Sequence, residues 1–249
     1  MKKIEKITRS FLTYVLFLFF YLLYLWIFKL ANKIKVIGRK NLPRKTFGVL
    51  SLSNHESYPD SLPIRAFRMD DMLDVIVNQR LIPYDAPDFK NFYTKRIKAF
   101  IIGLLKNFPA KRKLKDQTVK DEFIEKCCEV LKNDPLHLFF EGGRTVDEIR
   151  PCVSGVAKTI LKLLEEKFDL IVIPIYINGM KDIMPRKYEQ KYWKMFFKFG
   201  HKVLIVVGKQ IDFSDIITLN ISRERKINLI KARVRYSVLA LKTQHPNCI

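Results

Sequence analysis

Cysteine is scarce in this chain of 249 residues, and the four present, Cys127, Cys128, Cys152 and Cys248, form no C-x-x-C pair. No histidine stands at ligand spacing beside them. They therefore suggest neither a zinc site nor a disulfide framework, and read as reduced packing residues suited to a cytosolic environment. Acidic residues are few as well, with 25 Asp and Glu against 46 Lys and Arg, for a formal charge of +21. A surface so short of negative charge calls for an anionic partner, and both nucleic acid and acidic lipid headgroups meet that description. Internal repeats and low-complexity linkers are lacking, and the length allows one sizeable core, two full domains being cramped.

The chain does have one long apolar run. From residue 11 to residue 28 the only non-aromatic polar residue is Thr13, and a helix continuing to Leu30 would be about 30 Å long, the thickness of a bilayer's hydrocarbon core. A signal peptide usually has an apolar region of about 7 to 15 residues ending at small side chains. This run ends instead in Trp26, Phe28 and Leu30. It is expected to anchor the chain in a membrane, either spanning it or re-entering one leaflet. Lysines and arginines flank it on both sides, so the positive-inside rule does not orient it. A basic connector over residues 31–45 follows, which gives an expected division into an anchor and connector over 1–45 and one domain over 46–249.

Apolar runs at 47–53, 72–77, 107–110, 136–140, 170–177 and 203–208 predict strands. Helical spacing predicts helices over 88–106, 116–132, 154–167 and 222–242. Alternation of the two predicts an α/β fold, a mostly parallel sheet flanked by helices with the hydrophobic membrane-anchoring helix at the N-terminus. In residues 188–199, Tyr192, Trp193, Phe196, Phe197 and Phe199 interleave with Lys191, Lys194 and Lys198, which suits a helix at a membrane surface or a core helix with exposed lysines.

Two strand ends carry chemistry. The first predicted strand runs into Asn54-His55-Glu56-Ser57-Tyr58-Pro59-Asp60. A His and an Asp five positions apart can meet across a turn, where the carboxylate fixes the imidazole tautomer and leaves the other ring nitrogen free to take a proton. The strand at 136–140 runs into Glu141-Gly142-Gly143-Arg144-Thr145. Glycines there permit a tight turn and close approach to a ligand, and Arg144 offers a planar fork of donors suited to phosphate. An ion pair between Glu141 and Arg144 is the alternative reading of that loop. Ligands of open α/β sheets bind at such carboxyl ends.

Together the two loops resemble the glycerolipid acyltransferase superfamily, which includes 1-acyl-sn-glycerol-3-phosphate and glycerol-3-phosphate acyltransferases. Its N-H-x-x-x-x-D motif stands as Asn54 to Asp60. Its F-x-E-G-x-R-S motif is matched by Phe139-Phe140-Glu141-Gly142-Gly143-Arg144-Thr145, and its proline-centred strand by Val172-Ile173-Pro174-Ile175-Tyr176. A further basic motif is loosely present from Gly103 to Lys111 and Arg112. Gly143 stands where lysophosphatidate acyltransferases usually carry Thr, and Glu56 where a neutral residue is usual.

The resemblance implies an O-acyltransferase that moves a fatty acyl group from an acyl thioester, acyl-coenzyme A or acyl carrier protein, to a hydroxyl of lysophosphatidic acid, giving phosphatidic acid. Glycerol 3-phosphate or another lysophospholipid is the alternative acceptor. His55 is implied as general base and Asp60 as its orienting partner. Arg144 is implied as phosphate ligand, with Lys111 and Arg112 as helpers and Glu141, Gly142 and Gly143 completing the acceptor site. No metal or organic cofactor is implied, and the acyl carrier is a co-substrate. The implied setting is an anionic phospholipid membrane with the catalytic domain on its cytoplasmic side. A basic protein binding nucleic acid or lipid without catalysis would leave the apolar N-terminus unexplained, so no nucleic acid is expected.

Overall fold

A computed structural model describes residues 2–69, 72–111, 116–145, 148–185 and 198–245. Its strands are β1 (Lys33–Ile37), β2 (Val49–Ser53), β3 (Tyr84–Asp85), β4 (Leu136–Phe139), β5 (Ile171–Asn178) and β6 (Lys202–Val207). They form one sheet of order β1-β6-β5-β2-β4-β3, parallel at every pairing except the antiparallel β5–β6. All of β2 is buried, as a central strand covered on both faces must be, and its near-continuous apolar run reflects this.

The described helices are α1 (Lys2–Tyr24), α2 (Ser61–Ala66), α3 (Met72–Val77), α4 (Phe89–Phe92), α5 (Arg96–Leu104), α6 (Gln117–Asn133), α7 (Ser154–Glu165), α8 (Met180–Ile183), α9 (Ser214–Thr218) and α10 (Arg223–Gln244). A π-helical turn over Leu25–Leu30 prolongs α1. Helices α6, α7 and α10 cover one face of the sheet, over Leu50, Leu52, Leu138, Val172 and Leu204. On the other face, α1 and α2 lie over Ile173, Ile175, Ile177, Val203 and Ile205. The long helices start where sequence physics puts them. Asp116 caps α6 by accepting from the Thr118 N–H at 2.9 Å, which satisfies one of the donors that a helix N-terminus leaves open.

The apolar N-terminal run is helical from Ser10 to Leu30, and it is two-sided. Phe17, Tyr21, Tyr24, Ile27 and Phe28 are buried against the sheet, while Phe11, Val15, Phe19, Leu22, Trp26 and Leu30 are exposed. Residues 72–77, expected as a strand, are helix α3, which packs against α1. Residues 107–110 make only isolated bridges to Asp85 and Asp88, because Pro109 has no N–H to extend a ladder. The expected helix over 88–106 is broken into α4 and α5, and Phe100 is exposed. The connector over 31–45 supplies the edge strand β1, in register with β6 from Lys33↔Lys202 to Ile37↔Val206. Of the expected aromatic and basic segment at 188–199, residues 188–197 lie outside the described residues, as do Arg112 and Cys248. Cys127, Cys128 and Cys152 are free and buried.

Candidate active site

At the carboxyl end of β2 the chain leaves the sheet through Asn54, whose side chain replaces a missing strand partner. Its amide donates to the Ile177 carbonyl at 2.8 Å and accepts from the Ile177 N–H at 2.7 Å, tying the loop to β5. The next residue, His55, is held on every side. Its N–H donates to Glu141 Oε1 at 3.0 Å, and its carbonyl accepts from the Thr145 N–H at 2.8 Å. Its ring stacks on Phe139 with centroids 3.8 Å apart.

His55 Nδ1 lies 2.9 Å from Asp60 Oδ2. The spacing of five has a local cause. Residues Tyr58–Asp60 form a single 3-10 turn with Pro59 in it, and Asp60 reaches back to the N–H of Ser57 at 2.9 Å, as the third residue of a capping box does. The same oxygen accepts from the Glu56 N–H at 2.6 Å. Asp60 is fully buried, and burial pushes its carboxyl up to about 7 even though the Ser57 and Glu56 N–H groups, His137 and Arg144 pull the other way.

The second loop is a brace as much as a ligand site. Glu141 accepts from the His55 N–H, from Thr145 Oγ1 at 2.7 Å and from the Arg150 N–H at 2.7 Å, so its carboxylate is committed to protein donors and not to Arg144. Burial raises its pKa. Gly142 has φ +67°, and an added Cβ would stand 2.7 Å from Val153 Cγ1, so glycine is required there. A Cβ on Gly143 would meet nothing within 4 Å, which leaves open space beside the loop. The Arg144 guanidinium lies 4.4 Å over the Tyr58 ring, and Tyr58 meets Phe92 edge-on. Lys111 lies over Phe89 of the same short helix α4, 6.0 Å from the ring centroid, on the same aromatic wall.

A family model described as Acyltransferase matches residues 33–178, a span that contains both loops. The chain belongs to the acyltransferase family. A solved structure of similar fold is the 1-acyl-sn-glycerophosphate (LPA) acyltransferase PlsC from Thermotoga maritima. It has a TM-score of 0.53 and 19% identity over 97% of this chain and 98% of that one. No curated protein matches the sequence.

Beneath these two loops the acyltransferase buries a second histidine that sequence reading passed over. His137 Nδ1 lies 2.8 Å from Asp85 Oδ1 and its Nε2 3.0 Å from Ser53 Oγ, while Arg65 Nε lies 2.9 Å from Asp85 Oδ2. Burial alone would raise the Asp85 pKa, but Arg65 and His137 overturn this and hold it below the usual range. The His137 ring meets Phe139 edge-on, and Phe139 is the ring on which His55 rests. Its signal in the sequence is a histidine between two leucines in an otherwise apolar strand, which marks a buried polar group in need of partners.

Glu56 was also given no role by sequence. Its Oε2 accepts from the Met180 N–H at 3.0 Å, and Ser57 Oγ donates to the carbonyl of Met184, the residue after α8, at 2.8 Å, so the acyltransferase ties this loop to both ends of α8. Together with Asn54, Thr145, Tyr176, Asn178 and Lys181, Glu56 lines a cavity of about 620 Å³. Burial pushes its carboxyl from 4.5 up to about 8, the Asp60 charge adding to the rise and Lys181 opposing it. Folded Glu56 therefore keeps a proton that the unfolded chain releases, and stability falls as pH rises from about 4.5 to about 8. Glu56→Gln removes that loss, so its melting temperature relative to the parent should climb across this window in calorimetric scans. A constant difference would mean that Glu56 is ionised throughout in the fold.

Proposed function

We propose that this acyltransferase transfers a fatty acyl group from an acyl thioester, acyl-coenzyme A or acyl carrier protein, to the free hydroxyl of lysophosphatidic acid, giving phosphatidic acid. The reading rests on one observation, the His55 imidazole pinned by Asp60 at 2.9 Å with a guanidinium on the neighbouring loop. Asp60 holds the proton on Nδ1, so Nε2 accepts the proton of the acceptor hydroxyl as its oxygen attacks the thioester carbonyl. The C–S bond then breaks, and the thiolate takes the proton back from His55. No acyl-enzyme is needed, because the hydroxyl is the only weak nucleophile. The Gly142 amide is spent on the Phe139 carbonyl at 3.0 Å, so the Gly143 amide is the backbone donor for the oxyanion.

Arg144, stacked on Tyr58 and flanked by the Lys111 side of the aromatic wall, takes the acceptor phosphate. A charge-assisted bidentate contact contributes about 1.5–3 kcal/mol. Arg144→Ala should therefore lower kcat/KM for the phosphorylated acceptor about 10- to 150-fold with donor KM unchanged, and Arg144→Lys should recover only part of it. Equal losses for phosphorylated and phosphate-free acceptors would remove Arg144 from the phosphate site. Membrane attachment through α1, with the catalytic domain on the cytoplasmic side, fits the free buried cysteines and the apolar helix. The deciding experiment incubates the purified protein with one acyl-coenzyme A, or acyl carrier protein thioester, and a panel of lysophosphatidic acid, glycerol 3-phosphate and other lysophospholipids, with products identified by mass. Failure to form phosphatidic acid while another acceptor is acylated would overturn the assignment.

A further inference from the structure

The cavity beside Glu56 forms where β5 ends. Tyr176 and Asn178, two apart on that strand, share a face of the sheet, and Tyr176 packs in the cluster that α10 covers. Leu239, Lys242 and Thr243 stand three and four residues apart on one side of α10 and close the opposite wall. The volume of about 620 Å³ lies within the range of about 300–1,000 Å³ usual for small-molecule sites. Its interior offers hydrogen-bond donors. Tyr176 is only 6% exposed, yet among the described residues its hydroxyl has no hydrogen-bond partner, and buried hydroxyls are normally satisfied. Burial, and after it the Glu56 charge, pushes that hydroxyl up to about 12, which makes Glu56 its neighbour. Glu56 itself, raised to about 8, carries a proton at neutral pH and is a second donor. At the mouth Lys181 and Lys242 outnumber Glu148.

The cavity and the Arg144 guanidinium lie on different sides of the base. Asn54 and Glu56 turn toward β5 and α8, where they meet Ile177 and Met180, whereas His55 between them turns toward β4 and rests on Phe139. Arg144 lies over Tyr58, and Tyr58 meets Phe92 of α4, the helix that follows the edge strand β3. Direct transfer needs such an arrangement, because acyl carrier and acceptor must reach one imidazole at the same time.

We propose that this cavity receives the phosphopantetheine arm of the acyl donor, with Glu56 and Tyr176 donating to its amide carbonyls and Lys181 and Lys242 meeting its phosphate. The arm is the part that acyl-coenzyme A and acyl carrier protein thioesters have in common, a chain with two amides, a thiol at one end and a phosphate at the other. An ionised carboxylate only accepts hydrogen bonds, so a protonated Glu56 matches an amide carbonyl where a charged one would not. The lysines at the mouth suit the phosphate as point charges. The assignment rests on the thioester donor proposed above and adds where the carrier of that donor is held.

Leu239→Trp fills the cavity from α10 without altering a group assigned to the chemistry. In the detergent-solubilised full chain it should raise the KM of the acyl donor roughly 10-fold or more, with the acceptor KM unchanged. Free phosphopantetheine should compete with the donor and not with the acceptor, and Tyr176→Phe should weaken it about 2- to 12-fold, the worth of one net hydrogen bond. The thioester that the parent turns over, on coenzyme A or on the carrier protein, identifies the source of the arm. A donor KM unmoved by Leu239→Trp, or a rise in acceptor KM in its place, overturns the proposal. Competition by adenosine bisphosphate, the half of coenzyme A without the arm, that Leu239→Trp abolishes would give the cavity to the nucleotide and overturn it as well. Should Leu239→Trp fail to fold, Lys242→Glu, at an exposed position, carries the test. It should weaken phosphopantetheine several-fold and leave inhibition by pantetheine, which lacks the phosphate, unchanged; equal effects on the two, or none, count against the site. If neither thioester acylates any acceptor, the function proposed above falls, and calorimetry decides the cavity separately. Phosphopantetheine bound by the parent and lost from the variant supports it, and no binding to the parent overturns it.

Discussion

His55→Ala should slow the chemical step about 10²- to 10⁴-fold, the range a positioned general base contributes, while the melting temperature stays near that of the parent. The ring packs on Phe139 in a loop beyond the end of β2, so its loss should leave the strands in place. Asp60→Asn should be comparably damaging, because the amide offers no charge to an imidazolium and can present the wrong hydrogen-bond partner. The double variant should be little worse than His55→Ala, since the two residues act as one unit. The pH profile follows from the same pair. Its working form carries one proton, on Nδ1, and a second proton on either Asp60 or Nε2 removes the base. With Asp60 raised to about 7 by burial, that second proton is lost near neutrality, so activity should rise with pH through about 7 and then level. Near-normal turnover of His55→Ala with both substrates saturating would dismiss this base.

The largest loss of stability is expected from Asp85→Ala. The substitution strands Arg65 and His137, both buried or nearly so, without the carboxylate that faces them at 2.9 and 2.8 Å. Breaking a buried pair from one side costs about 3–5 kcal/mol. Urea unfolding should register this as a shift in midpoint with an unchanged slope. Asp169→Ala is the control, since Asp169 pairs with Lys45 but its side chain is 80% exposed, and exposed pairs contribute about 1 kcal/mol or less. If both substitutions cost the same, the Arg65–Asp85–His137 chain carries no special stability. A fall in turnover beyond the fraction unfolded would add that His137 steadies His55 through Phe139.

The geometry of the two loops at the strand ends was legible because it is local. The capping turn that aims Asp60 at His55 is written in residues 57 to 60, and the positive φ of Gly142 in a Gly-Gly pair. The central strands were legible from unbroken apolar runs. What escaped is non-local. Ser53, Asp85 and His137 meet from positions 84 and 52 residues apart along the chain, and no spacing rule links them. Strand β1, Lys-Ile-Lys-Val-Ile, looks like a basic connector because an edge strand keeps lysines on its exposed side. Met72–Val77 reads as a strand from its branched apolar residues. Its helix is imposed by packing on α1 and by Asp74, which accepts from the Asn78 side chain at 2.6 Å and pairs with Arg44.

The pairing of β1 with β6 also sets a timetable. Lys33 finds its partner only at Lys202, so an edge of the sheet made early must wait for most of the remaining chain. At a synthesis rate of about 5–20 residues per second, that wait is roughly 10 to 30 s. For most of it, until β5 is complete at residue 178, the apolar stripe of α1 has neither β5 nor β6 to cover. A nascent chain stalled before residue 202 should therefore be protease-sensitive throughout its sheet, and one released after residue 244, once α10 can cover the other face, should become resistant in a single cooperative step.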